Sequence, residues 1–211
     1  VKEHTPEVLK RQWGESCAIF GQGPDLYQIH SATPESAVLE NEAVLRQLAH
    51  LRESGVQIGL SLSGPSQAAT LRQAMGITRD GKPLFSAVQA TWNLLEPSAG
   101  KALAEAHSEG YFVVIKEALA NGRLSARNPD PELRAHLSAI AQRQATSTDA
   151  LCLSAALAQP WADIVLSGAA TVPQLQSNLA ALHLSPPDPT LSDLAESPDT
   201  YWTTRKQLPW N

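Results

Sequence analysis

Five short apolar runs, each followed by a segment of helical periodicity, constrain this chain more than any other feature. The runs cover residues 25–30 (DLYQIH), 56–61 (VQIGLS), 83–90 (PLFSAVQA), 111–116 (YFVVIK) and 163–166 (DIVL), about one per thirty residues. They are continuous rather than alternating in polarity, the pattern of strands buried on both faces. That predicts a parallel sheet in an α/β fold. A Rossmann-like sheet and a (β/α) barrel both satisfy it, and no GxGxxG follows any of the runs to support the first.

The intervening segments carry helix signals. Thr5 can cap a helix with Pro6 at its first position, and Gly21 marks its end. Further helices are predicted over 38–54, with Gly55 as the stop, and over 66–75, 98–109, 131–144 and 148–159. After the last strand, Leu175, Leu179 and Leu182 recur at helical spacing. The chain reads as one domain, 1–211. A Pro-rich tail, 185–211, has short helical pieces at 191–196 and 200–208, and is expected to pack over the domain through Trp202, Leu208 and Trp210.

With 211 residues, 43% hydrophobic and 18% charged, the chain can bury a sizeable core. Its net charge of −5, with no dense Lys/Arg stripe, gives no field for nucleic acid or an anionic membrane, so neither partner is expected. No apolar run reaches the roughly 20 residues of a membrane span, and the first residues lack the apolar stretch of a secretory signal. Cys17 and Cys152 are far apart and lack metal-ligand spacing; they read as reduced, buried hydrophobes, which fits a cytoplasmic protein, and no metal site is expected.

In a parallel α/β fold ligands bind where the C-terminal ends of the strands collect. That selects His30, Ser61, Gln89, Lys116 with Glu117, and the small-residue turn 167–170. Ser61 and Gln89 each offer a donor and an acceptor, suited to holding an amide, and equally suited to capping strand ends. His30 can donate to a carbonyl oxygen or serve structurally. Lys116 and Glu117 can pair with each other or with solvent. Gln174 and Asn178, four apart, share a face near a helix N-terminus, where unpaired N–H groups favour an anion such as a phosphate. An ordinary buried βα unit whose polar residues face water fits the same stretch, and so does a barrel enzyme acting on a phosphorylated substrate. Asp163, at the opposite end of its strand, is read as structural.

Taken together, the strand-end segments resemble the aldo-keto reductase family, in its bacterial branch near the potassium-channel β-subunit type. DLYQIH is similar to the family's fourth-strand motif, ending in its catalytic-site histidine, here His30. IGLSLSG and VQATWNLL resemble the fifth- and sixth-strand motifs, which makes Ser61 and Gln89 the partners of a nicotinamide carboxamide. EALANGRLS resembles the seventh-strand loop along the cofactor pyrophosphate, with Leu119, Ala120 and Gly122. LSGAATVPQLQSN resembles the eighth-strand motif, with Gly168, Ala170, Gln174, Ser177 and Asn178 at the positions that bind the adenosine end.

The resemblance implies a (β/α)8 TIM barrel, of which this chain supplies about the last five βα units, an NADP(H) cofactor, and reduction of a small-molecule carbonyl, an aldehyde or ketone, by hydride transfer. It also implies a tyrosine acid supported by Lys, Asp and His. Of that set only His30 has a counterpart; the Asp, Tyr and Lys would lie upstream, so the chain is expected to be an inactive portion of a longer reductase. The family's Ser-Asn pair is Ser61-Leu62 here, Lys116 stands where an aromatic usually stacks on the nicotinamide, and Glu117-Ala118 replaces Ser-Pro. No Lys or Arg on the helix after the eighth strand marks a 2′-phosphate. A non-catalytic NADP-binding or interaction module, like the channel β subunits, is the alternative.

Overall fold

The computed structural model describes residues 3–21, 23–184 and 188–208. In chain order the elements are α1 (Pro6–Phe20), β1 (Leu26–Ala32), α2 (Glu42–Glu53), β2 (Gln57–Leu62), α3 (Gln67–Met75), β3 (Thr78–Arg79), β4 (Lys82–Pro83), β5 (Ala87–Thr91), α4 (Gly100–Ser108), β6 (Phe112–Lys116), α5 (Pro131–Arg143), α6 (Thr148–Leu157), β7 (Ile164–Val165), α7 (Val172–Leu179) and α8 (Pro198–Gln207). Side chains accept backbone N–H bonds at the starts of α1, α2, α5, α6, α7 and α8, from Thr5, Asn41, Asp130, Ser147, Thr171 and Ser197. The polar residue before each apolar stripe therefore sets where the helix begins.

Five strands form one sheet in the order β1-β2-β5-β6-β7, every pairing parallel. Each strand lies beside the next one in sequence, the progression of a barrel wall and not the reversal of a doubly wound sheet. Period-two alternation sorts the faces. Ile29, Leu60, Val88 and Val113 form one cross-strand row, and Ala90, Ile115 and Val165 another; all seven belong to or pack against the main core. The opposite face carries the row Ser61, Gln89, Val114, Ile164. That face is tight at Gly59, where a Cβ would come to 3.0 Å from Gln28 and 3.1 Å from the Ala87 carbonyl oxygen.

Several sequence expectations need correction. The run 83–90 is not one strand: Pro83 belongs to the β3–β4 hairpin, and β5 begins at Ala87. Residues 38–40 form a separate 3-10 turn, because Asn41 caps α2 and forces a fresh start at Glu42. Strand 163–166 shortens to Ile164–Val165. The leucines after it do not face the core: Leu175, Leu179 and Leu182 are 44%, 49% and 62% exposed, since α7 turns Asn178 inward instead. Cys17 is only half-buried, whereas Cys152 is enclosed, and burial pushes its thiol pKa up.

The described tail residues contribute to a second cluster. Leu191, Tyr201 and Trp202 bury against Leu94, Leu95, Leu137, Ile140 and Leu151. The Tyr201 hydroxyl accepts from Asn93 Nδ2 at 3.0 Å, and Arg123, over the Tyr201 ring, pairs with Glu196. Leu208 is partly buried, and Trp210 lies outside the described residues.

Candidate functional site

A cavity of about 500 Å³ opens at the C-terminal ends of β6 and β7. One wall is the loop after β6. Its backbone turns sharply, with Glu117, Ala120 and Asn121 all at positive φ (55°, 49° and 53°), a conformation that side-chain-bearing residues adopt at a cost. The Glu117 carbonyl anchors this turn by accepting from Ala120 N (2.8 Å) and Asn93 Nδ2 (2.9 Å). Leu119 and Gly122 line the cavity. Ala120 is buried behind them.

The facing wall is the turn after β7. Gly168, at φ 64° and with open space where a Cβ would point, lets this turn bend. Gly168, Ala170, Gln174 and Asn178 all line the cavity. Gln174 is committed to a capping box: its Oε1 accepts from Ala170 N (2.8 Å) and Thr171 N (3.2 Å), and its N–H donates to Thr171 Oγ1 (3.3 Å). The cap thus occupies the N–H groups of Ala170, Thr171 and Gln174, and Pro173 has none.

Asn178 is different. It is 6% exposed and donates from Nδ2 to the Ser167 carbonyl (3.1 Å), while its buried Oδ1 has no partner among the described residues. A buried acceptor without a donor is costly unless something supplies one. Ser177 points elsewhere and donates to Ser147 Oγ at 2.9 Å.

Positive charge reaches this cavity from segments that sequence reasoning missed. Arg127 and Arg205 line it together with Lys116, and so does Asp149, whose carboxyl burial pushes above its usual range. Arg127 closes the same loop that EALANGRLS begins, so reading that loop two residues further would have found it. Arg205 had no local signal, because only the docking of α8 brings it near. Glu117 is held by Arg205 (Nη2 to Oε1 2.6 Å, Nε to Oε2 3.3 Å).

The remaining predicted residues lie along the sheet. Ser61 and Gln89 are direct partners on β2 and β5, as a shared amide ligand would need, although Ser61 Oγ already accepts from Ser31 N at 2.9 Å. Ser31 sits at φ 60°, where the β1–β2 register shifts. His30 does not line the large cavity. It borders a separate one of about 290 Å³ between α1 and β1, shared with His4 and Tyr27, and its carbonyl oxygen lies 3.0 Å from His4 Nε2. Asp163 is structural: it accepts from Val113 N (2.7 Å) and faces His107 at 3.7 Å. Among the described residues no cluster of His, Cys, Asp or Glu has metal-binding geometry, and no helix is long and apolar enough to cross a membrane.

Known proteins supply the remaining findings. The model of the aldo/keto reductase family matches residues 2–196. Among solved structures, the apo form of aldo-keto reductase AKR11C1 from Bacillus halodurans is similar, with a TM-score of 0.69 at 19% identity over 91% of this chain and 69% of that one. Its holo form gives 0.65 at 20% identity, over 92% and 69%. At such identity the likeness is one of fold. No curated protein matches the sequence.

Proposed function

The chain belongs to the aldo/keto reductase family, and from that premise we propose that it holds NADP(H) across the ends of β6 and β7, as part of an oxidoreductase that reduces a small aldehyde or ketone. The observation that carries this reading is the unpartnered Asn178 Oδ1 in the cavity wall. An acceptor buried there calls for a donor such as the amino group of an adenine. Gly168 leaves open space where a side chain would stand, and Arg127 offers a guanidinium suited to a phosphate. Ser61 and Gln89, adjacent in one row, would hold the carboxamide at the far end. When bound, NADPH supplies the hydride that a carbonyl carbon accepts.

Binding and turnover part company in this reading. The chain has three tyrosines, and none is placed as an acid. Tyr27 lies edge-on to Trp13 at 5.3 Å, with burial and Glu15 pushing its pKa up. Tyr111 is buried, its pKa pushed up to about 12 by desolvation. Tyr201, on the tail helix, is buried against the domain with its hydroxyl accepting from Asn93 Nδ2. We infer that these 211 residues correspond to the last five units of the family barrel and bind the cofactor without reducing carbonyls; the Asp, Tyr and Lys of the catalytic set come from additional sequence, and His30 then works beside them.

Fluorescence titration with NADPH, alongside NADPH oxidation in the presence of an aldehyde, tests both halves. Binding weakened by Asn178→Ala, with no turnover, is expected. Aldehyde-dependent oxidation by the 211-residue chain would overturn the argument about the acid, and absence of NADPH binding would overturn the cofactor assignment.

A further inference from the structure

The resemblance leaves one oddity at the site: an acid, Glu117, stands in the loop that would face a diphosphate. Its backbone is fixed in the left-handed region by two hydrogen bonds to its carbonyl, and its side chain lines the cavity together with Asn121, whose Nδ2 donates to Oε2 at 3.1 Å. A bare carboxylate here would repel any phosphate entering the cavity. The partner that meets it comes from 88 residues further along the chain. Arg205, on α8, grips both carboxylate oxygens as a fork, and its guanidinium lies 5.8 Å from the Trp202 ring centroid, which fixes the side chain before any ligand arrives. Both members of the pair are largely buried, at 18% and 12% exposure, so salt screens their charges little.

We propose that Arg205 is a positioning residue of the nucleotide cavity: it cancels the charge of Glu117, so that binding of a phosphate-bearing ligand depends on the docked tail helix. This rests on the assignment of the cavity to NADP(H), but its physical content is narrower. The pair contributes no net charge to the cavity wall in the native chain, one negative charge without Arg205, one positive charge without Glu117, and again none without either. Affinity for an anion should follow that ladder and not the amount of tail structure retained.

The test is isothermal titration calorimetry with NADP+ and, separately, inorganic pyrophosphate, on the wild-type chain, Arg205→Ala, Glu117→Gln and the double variant. Arg205→Ala should weaken both probes about tenfold, and Glu117→Gln should tighten them several-fold. The double variant should return close to wild type, a rescue that a merely structural role for Arg205 would not give. A double variant as weak as Arg205→Ala, or an Arg205→Ala chain binding as tightly as wild type, overturns the proposal. If Arg205→Ala does not fold, the Glu117→Gln step decides alone, and unchanged affinity there overturns it. Pyrophosphate binding that follows the ladder, without NADP+ binding, sustains the charge pairing while removing the dinucleotide assignment. Binding of neither probe by wild type removes both.

Discussion

The centre of the sheet and its β7–α7 edge are built from the same βα pattern and are held by different forces. In β2, five of the six residues are buried, and Ile58, Leu60 and Leu62 are at most 1% exposed. Packing decides that region. At the edge, β7 is two residues long, with Ile164 and Leu166 more than 40% exposed, and α7 keeps its place through the Thr171–Gln174 capping box and the Asn178–Ser167 bond. Hydrogen bonds decide this one. An orphaned buried oxygen lies near each region, Glu96 Oε2 in the loop after β5 and Asn178 Oδ1 on α7. Glu96 is closed in by protein, whereas Asn178 opens onto the cavity. The region that packs less well is the one with chemistry to offer.

The contrast breaks most visibly at Leu60. Leu60→Ala should cost about 2–5 kcal/mol in urea unfolding, because the residue lies in a row with Val88 and the vacated space cannot collapse. A loss comparable to that of a surface leucine would mean the centre is not the stable part.

Glu96 sharpens the comparison through pH. Burial pushes its carboxyl pKa above the usual range, with Glu196 adding to the effect and bonds from Ser98 and Gln67 opposing it. The folded state therefore binds this proton more tightly than the unfolded state does. Its contribution to stability is fully present below the ordinary carboxylate pKa and is lost as pH rises through the folded value. Glu96→Gln removes that dependence. Relative to wild type, the variant should gain stability as pH rises from 4 to 8, read by urea melts at both ends. Since Asp149 titrates alike in both proteins, a gap that stays constant with pH would sink the assignment.

What could be read in the sequence divides along the same line. Strand–helix alternation and strand-end residues are local patterns, so DLYQIH, VQIGLS and YFVVIK gave strands whose overlap with β1, β2 and β6 is nearly complete. PLFSAVQA failed because an apolar run does not reveal that Pro83 pairs with Thr78 in a hairpin. In the site, Gly168, Ala170, Gln174 and Asn178 were recognisable from a contiguous motif and do line the same cavity as Leu119 and Gly122. The Glu117–Arg205 pair was not, because a contact across the domain leaves no periodicity in the chain. Nor did the spacing of Leu175, Leu179 and Leu182 disclose their exposure; periodicity defines a stripe without naming what lies opposite it.

At the edge, capping should matter more than side-chain volume. Thr171→Ala removes the acceptor for Gln174 N and half of the capping box, at a cost of about 1 kcal/mol. Its effect should concentrate in α7, where hydrogen exchange should quicken while β2 amides stay protected.

The smallest effect is expected at Leu179, and it is the one that most directly tests what α7 is for. The residue is chemically identical to Leu60 yet 49% exposed, so truncation creates no enclosed cavity and leaves the capping box and the Asn178 bond untouched. Leu179→Ala should therefore change the unfolding free energy by less than about 0.5 kcal/mol, with alanine's better helix propensity offsetting part of the lost surface contact. Urea melts of the two leucine variants under one buffer condition make the comparison, since the same atoms are removed in both. A Leu179→Ala loss approaching that of Leu60→Ala would mean that this stripe is covered in solution, and the edge would then be a packed interface and not a helix held by its cap.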